Sequence, residues 1–267
     1  MGSLMAAFSV ASVLGVPISL YLANLISWHA PFIMVAILGF VLLPLTMKFI
    51  PPMRAHFTGK DKRKSTAAFV VVFSRKSALI ALSLSSLMFF GHFLVVPFLN
   101  PYMEFNVGFT KNQIPLIYVV GGTATLFSAP FFGKLSDKKG KLGIFVLCSL
   151  LTLPFVYFIA NMPAIAFYYV LVATGLWFIV ANGRSIAAQA MISNVIEARY
   201  RGSFMSINSS LQQLFVGSAS FVAGLIVSND PVTKKISHYS WVGWASVVIL
   251  SLCIYLGYAL KKQVQSL

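Results

Sequence analysis

Arg184 is the only charged residue inside an otherwise hydrophobic stretch of this chain, GLWFIVANGRSIAAQAMISNVI. A guanidinium held among apolar side chains is costly and normally faces a polar cavity or a partner. Two uses are open from the residues alone. Arg184 binds an anionic group or tunes a proton site, or it snorkels toward an interface or braces helix packing. Asn182, Ser185 and Gln189 could share its wall, although a helix turning about 100° per residue leaves Arg184 and Gln189 only partly aligned.

Two further clusters have the right chemistry for a path through an apolar interior. Asn208, Ser209, Ser210, Gln212 and Gln213 stand together, with Gln212 one helical turn from Asn208 on the same face. They either bond between helices or line a cavity. His92, in FFGHFLVVPF, titrates in the range that suits a proton carrier, or serves as a hydrogen-bonded helix contact. The acids Asp61, Glu104, Asp137, Glu197 and Asp230 all fall in loops or near ends of apolar runs. No Ser/His/Asp, HExxH or paired-carboxylate constellation lies in the hydrophobic stretches, so an enzyme is not expected. No metal-ligand spacing and no cofactor motif is present. Cys148 and Cys253 read as inert residues facing lipid or core.

The elements that must position these residues are membrane spans. Hydrophobic residues make up 58% of the 267-residue chain and charged residues 9%, against about a quarter charged in a soluble domain. A span needs roughly 20 mostly apolar residues. Eight such stretches follow: Gly2–Ile26, Pro31–Ile50, Ser77–Leu99, Gln113–Phe132, Leu142–Ala160, Ala164–Ile192, Ser203–Ser228 and Trp241–Leu260. The expected fold class is all-α, polytopic, with eight transmembrane helices.

The basic residues lie on alternate loops. If the loop between the fourth and fifth spans is cytoplasmic, 16 of the 20 Lys and Arg fall on that side, leaving Lys111, Lys234, Lys235 and the intramembrane Arg184. This positive-inside bias orients the chain. Segments 51–76 and 133–141 and the C-terminus are expected in the cytoplasm, with the protein in the inner (plasma) membrane. The same bias accounts for the net charge of +15 without a nucleic-acid partner; the lipid bilayer is the partner implied.

The longest loop, Pro51–Lys76, carries GKDKRKS and divides two spans from six. Residues 1–50 are then expected to be the last two spans of a six-helix half, 51–76 a basic linker and 77–267 a complete six-helix half. An internal repeat agrees. Residues 1–28 laid on 201–228 are identical at Gly2/Gly202, Ser3/Ser203, Met5/Met205, Ser9/Ser209, Leu14/Leu214, Val16/Val216, Ala23/Ala223, Leu25/Leu225 and Ile26/Ile226. These are the first and seventh spans, six apart, as two six-span halves require. The expectation is a longer chain in which Met1 is internal and four spans precede it.

The sharpest motif is GKLSDKKGK, Gly133 to Lys141. In a short loop, Gly133 would let helix ends approach, Asp137 would cap the next helix, Gly140 would permit a tight turn, and Lys138 and Lys141 would hold the loop in the cytoplasm. Every specified position of G-x-L-[AGS]-D-[RK]-x-G-[RK] is met, and the segment resembles the loop signature of the major facilitator superfamily. GVPIS, with Gly15 and Pro17, is similar to the Gly-Pro signature of that family's fifth span, and WHAPF, with His29 in place of the usual Arg, resembles the opening of its sixth. The stretch around Arg184 resembles the pseudo-symmetric copy of the family's Arg-x-x-Gln-Gly motif, with Gln189 two residues later.

The resemblance covers the chain as family spans five to twelve. It implies a secondary transporter, or permease, working by alternating access. A sugar-, nucleoside- or drug-like small-molecule solute would be exported by efflux coupled to protons, as in an antiporter. The resemblance would place Arg184, Gln189, Asn182, His92, Asn208 and Gln212 along the solute or proton pathway, make Gly133–Lys141 a conformational device and Gly15 and Pro17 a helix-packing motif. The alternative is a truncated, non-transporting membrane fragment or scaffold.

Overall fold

Away from water, an apolar run of bilayer length satisfies its backbone N–H and C=O groups by closing into a helix, and the computed structural model of the protein is built from such helices. It describes residues 14–49, 72–197 and 199–265. In chain order these hold α1 (Val16–Leu25), α2 (Ala30–Phe49), α3 (Lys76–Tyr102), α4 (Ile114–Lys139), α5 (Lys141–Ala160), α6 (Phe167–Ile192), α7 (Arg201–Ile226) and α8 (Tyr239–Gln265). A two-stranded hairpin, β1 (Ser228–Asn229) and β2 (Ile236–Ser237), joins α7 to α8.

Seven helices, α2 to α8, are long and apolar enough to cross a bilayer, while α1 has 10 residues. The first half of the span expected at Gly2–Ile26 lies outside the described residues, as do residues 51–71 of the expected linker. Val72, near the end of that linker, is fully buried against the bundle. The chain is an all-α, multi-pass membrane protein.

The six helices α3 to α8 form the packed body. α3 runs along α8 and α7, α6 along α4 and α5, and α8 also along α5. α7 rests chiefly on α3, which leaves its other face open. The core divides into two layers. One holds Leu84, Phe145, Ala187, Ile192, Phe204 and Cys253. The other holds Leu94, Ile159, Val170, Trp177, Tyr239 and Leu250. Because successive helices alternate in direction, the first layer lies toward the end carrying Lys76, Lys138, Lys141, Arg201 and Lys261, and the second toward the end carrying Lys111 and Lys234.

Close contacts set the helix spacing. A Cβ on Gly243 of α8 would fall on the Cβ of Ala160 in α5, and one on Gly121 of α4 would stand 2.6 Å from the Phe178 ring of α6. At the far end of α3, Pro97 and Pro101 remove two helical N–H donors. The helix there loosens into a π turn, Met103–Val107, closed by Gly108 at φ +91°. Asn106 in that turn grips the hairpin, donating to the Ile236 carbonyl and accepting its N–H, both at 2.8 Å.

Several expectations are corrected. The spans extend past their apolar cores, most of all α4, which continues from Phe132 through Lys139. Gly133–Lys139 is therefore helical, not loop. Lys138 and Lys139 fit the last turn of a helix, where the macrodipole favours positive charge, and hydropathy is blind to that extension. Asp137 is exposed and does not cap the next helix; the cap position of α5 is Gly140, and no side chain bonds there. Gly133 has open space where its Cβ would be, so among the described residues no close approach depends on it. Gly140, at φ +91°, does make the turn expected of it. Gly15 likewise meets nothing within 4 Å among the described residues, and Pro17 sits in the first turn of α1 rather than as a kink in its interior.

Candidate functional site

The polar residues singled out by sequence do not converge on one wall. α6 splits them. Asn182 and Gln189, two turns apart, are half-buried on one side, and Asn182 donates to the Thr125 carbonyl of α4 at 3.4 Å. Arg184 lies on a different side, turned into the bundle and only 1% exposed. Ser185 bonds back to the Ala181 carbonyl at 3.0 Å. Snorkelling to an interface does not describe Arg184; it is a buried cation.

His92 is packed against Trp177, ring centroids 5.1 Å apart and 29° between planes. The Nδ1 of His92, the Nε1 of Trp177, and Nε and Nη1 of Arg184 are all buried without a hydrogen-bond partner. Cys148 and Cys253 are free thiols, both buried.

On α7, Asn208 and Gln212 turn inward. Asn208 is fully buried, its amide oxygen and nitrogen both unpartnered, and Gln212 donates from Nε2 to Oγ of Ser85 on α3 at 2.6 Å. The open face of α7 carries instead Ser206, Ser209, Ser210, Gln213, Gly217 and Ser218, all exposed. Their spacing, three to four residues and then seven and eleven, is that of one helical stripe. This row was missed as a unit: Ser206 and Gly217 look unremarkable singly, and the signal was their period. A polar face has no favourable place against lipid tails.

Between α3 and α7, Leu82, Ser86, Leu87, Leu211 and Phe215 line a cleft of about 320 Å³, whose one buried polar group, Oγ of Ser86, is unpartnered. At the basic end Lys141, the last residue of the GKLSDKKGK motif, donates from Nζ to the Ala190 carbonyl at 3.3 Å. That places a cation at the C-terminal end of α6, where free carbonyls and the helix dipole favour it. Nearby, Arg75 at the start of α3 pairs with Glu197 beyond α6 at 2.5 Å. Among the described residues no group of three or more His, Cys, Asp or Glu is placed to hold a metal.

A bundle of bilayer-length helices with a polar stripe on an unpacked face and hydrogen-bonding groups in its spans has the makings of a membrane transport protein. A sequence profile of the Major Facilitator Superfamily matches residues 1–220 and, in a second alignment, 84–265. The chain belongs to that superfamily, a family of transport proteins rather than enzymes.

Among curated proteins it is 24% identical over 252 residues to the uncharacterized MFS-type transporter YbcL of Bacillus subtilis, covering 93% of this chain and 62% of the relative. It is 23% identical over 222 residues to the transcription regulatory protein OpdE of Pseudomonas aeruginosa, covering 82% of this chain and 53% of the relative. The chain thus spans less than two thirds of the length of either relative.

Proposed function

We propose that the protein works as part of a secondary transporter that moves a small solute by alternating access between two conformations. The observation that carries the reading is the exposed stripe Ser206–Ser209–Gln213–Gly217 on α7. Hydroxyls and a carboxamide along a bilayer-length helix have a role against an aqueous path and none against lipid. With no exposed charge among them, the stripe suits an uncharged, hydroxyl-rich solute such as a sugar or nucleoside, or a drug-like molecule. Asn182 and Gln189 on α6 extend the hydrogen-bonding surface, while Gln212 lies behind it and ties α7 to α3, with Asn208 and Nδ1 of His92 buried in the bundle. Efflux coupled to protons is the direction the family resemblance favours.

In this reading the end bearing Lys138, Lys139 and Lys141 faces the cytoplasm, following the positive-inside bias. The exposed carboxylate of Asp137 is free to engage the segment Gly2–Met5, which lies outside the described residues, in the state closed to the cytoplasm. Asp137→Asn should then shift the population toward the cytoplasm-open state.

The test is solute exchange in proteoliposomes, with labelled arabinose, uridine and a cationic dye as probes and a pH gradient imposed or omitted. The chain is compared with a form carrying four additional N-terminal spans. Exchange that falls at least tenfold in Gln213→Ala supports the reading; exchange indifferent to both Gln213→Ala and Asp137→Asn rejects it. A second reading, a membrane scaffold without transport, has one observation in its favour. Among the described residues α2 packs chiefly on α1 and not on the six-helix body. Absence of exchange by both forms would select it.

A further inference from the structure

The unpartnered donors around Arg184 form a pattern that the solute stripe does not use. Arg184 and Trp177 lie two turns apart on one face of α6, 1% and 2% exposed. Two guanidinium nitrogens and the indole Nε1 lack any acceptor, and Nδ1 of His92, whose ring stacks on Trp177, is also unpartnered. Arg and Trp only donate, and a helical side chain leans toward the helix N-terminus. The Arg184 side chain therefore leans along α6 toward the level of Trp177.

A buried cation requires a counter-charge, and the described carboxylates are all elsewhere. Glu197 pairs with Arg75. Glu104 lies 3.9 Å from Lys111 at the far end. Asp230 is held by the hairpin. Asp137 is exposed at the basic end. Cys148 and Cys253 lie in the core layer that also holds Ala187 and Ala188 of α6, and a thiol sulfur is a weak acceptor. Water alone would satisfy the N–H groups but leave the charge unbalanced.

We propose that Arg184 anchors a buried site for a small monovalent anion, hydrated toward His92 and Trp177, at the junction of the two core layers. The anion supplies the negative charge and acceptors that the described residues do not. Waters between it and the Trp177 and His92 nitrogens complete their hydrogen bonds, as buried waters commonly do. The site sits behind the α7 stripe, and its occupancy does not depend on which solute is carried or on whether the chain transports.

The experiment is thermal unfolding of the purified chain in detergent, titrated with chloride, bromide or acetate at ionic strength held constant with gluconate, which is too large to enter. The expected result is a saturable rise in Tm with chloride or bromide, or with acetate if the site prefers a carboxylate, and a flat response in Arg184→Met. Trp177→Phe, which keeps the guanidinium, should raise the half-saturating concentration about tenfold, the factor that one hydrogen bond in a charged network conveys. A wild-type Tm indifferent to all three anions overturns the proposal, as does an undiminished rise in Arg184→Met. Should that variant fail to fold, bromide-soaked crystals decide: an anomalous peak beside the Arg184 guanidinium supports the site, and none there refutes it.

Discussion

Gln212 reaches across from α7 to donate its amide to Oγ of Ser85 on α3, at 2.6 Å. It is a side-chain bond between two spans that meet largely through apolar surface, and α7 has no other extensive neighbour among the described helices. Interhelical bonds of this kind within membranes average about 0.6 kcal/mol. Ser85→Ala should destabilise the bundle by about that amount, and Gln212→Ala in the Ser85→Ala background should add less than it does alone. A double-mutant cycle read by reversible unfolding in bicelles checks this, and strict additivity would mean that the bond contributes nothing.

Gly243 has no room for a side chain. A Cβ there would clash with that of Ala160, so Gly243→Ala forces α5 and α8 apart, at a cost of about 1–3 kcal/mol. The paired change Ala160→Gly should recover most of the lost Tm. Failure of that rescue would show that the closeness of the two helices is not what limits the site.

Lys141 sits against the last turn of α6 through the Ala190 carbonyl. Replacing it with Met removes the charge from a helix C-terminus and should cost about 0.3–1 kcal/mol, while Lys141→Arg should retain most of it. The unfolding midpoint in low salt measures the difference, and the gap between the variants should narrow as salt is added.

Asp230 gives the hairpin between α7 and α8 a pH dependence. The Thr233 N–H first, and then that of Val232, hold its carboxyl below the usual carboxylate range. A depressed folded pKa means that its contribution is present above the unfolded pKa and is lost as pH falls through the folded value. Amide exchange at Val232 and Thr233 should therefore accelerate on acidification below the ordinary Asp range. In Asp230→Asn the rates should follow intrinsic exchange chemistry alone; the wild-type step appearing there too would assign it to another group.

The spans and the basic asymmetry were legible because each rests on composition over a long window. Arg184 was legible too, as a charge where charge is expensive. Its direction was not: α6 is apolar nearly all round, so no stripe reports which side faces inward. Only packing against α4 and α5 separates Arg184 from Asn182 and Gln189. The same reason inverted the reading of α7. Asn208 and Gln212 are no more polar than Gln213, yet they turn inward, where Gln212 finds Ser85 of α3, and the open face is left to Gln213 and small hydroxyls whose meaning lies in their period. In GKLSDKKGK, Gly140 was read correctly because a positive φ is a backbone property that glycine announces. The helical state of Gly133–Lys139 was not, because hydropathy ends where the lipid does and helices need not.

α2 presents apolar side chains around its whole circumference and packs only on α1. Such a cylinder has no preferred azimuth: rolling it about its own axis exchanges one greasy surface for another at almost no energetic cost. Its orientation is therefore set by whatever surrounds it, lipid or protein, and not by its own sequence. A cysteine walked along α2 should label with a lipid-soluble reagent at every azimuth but the one against α1 when the chain is alone in a bilayer, and over a narrower arc once a partner surface covers more of the helix.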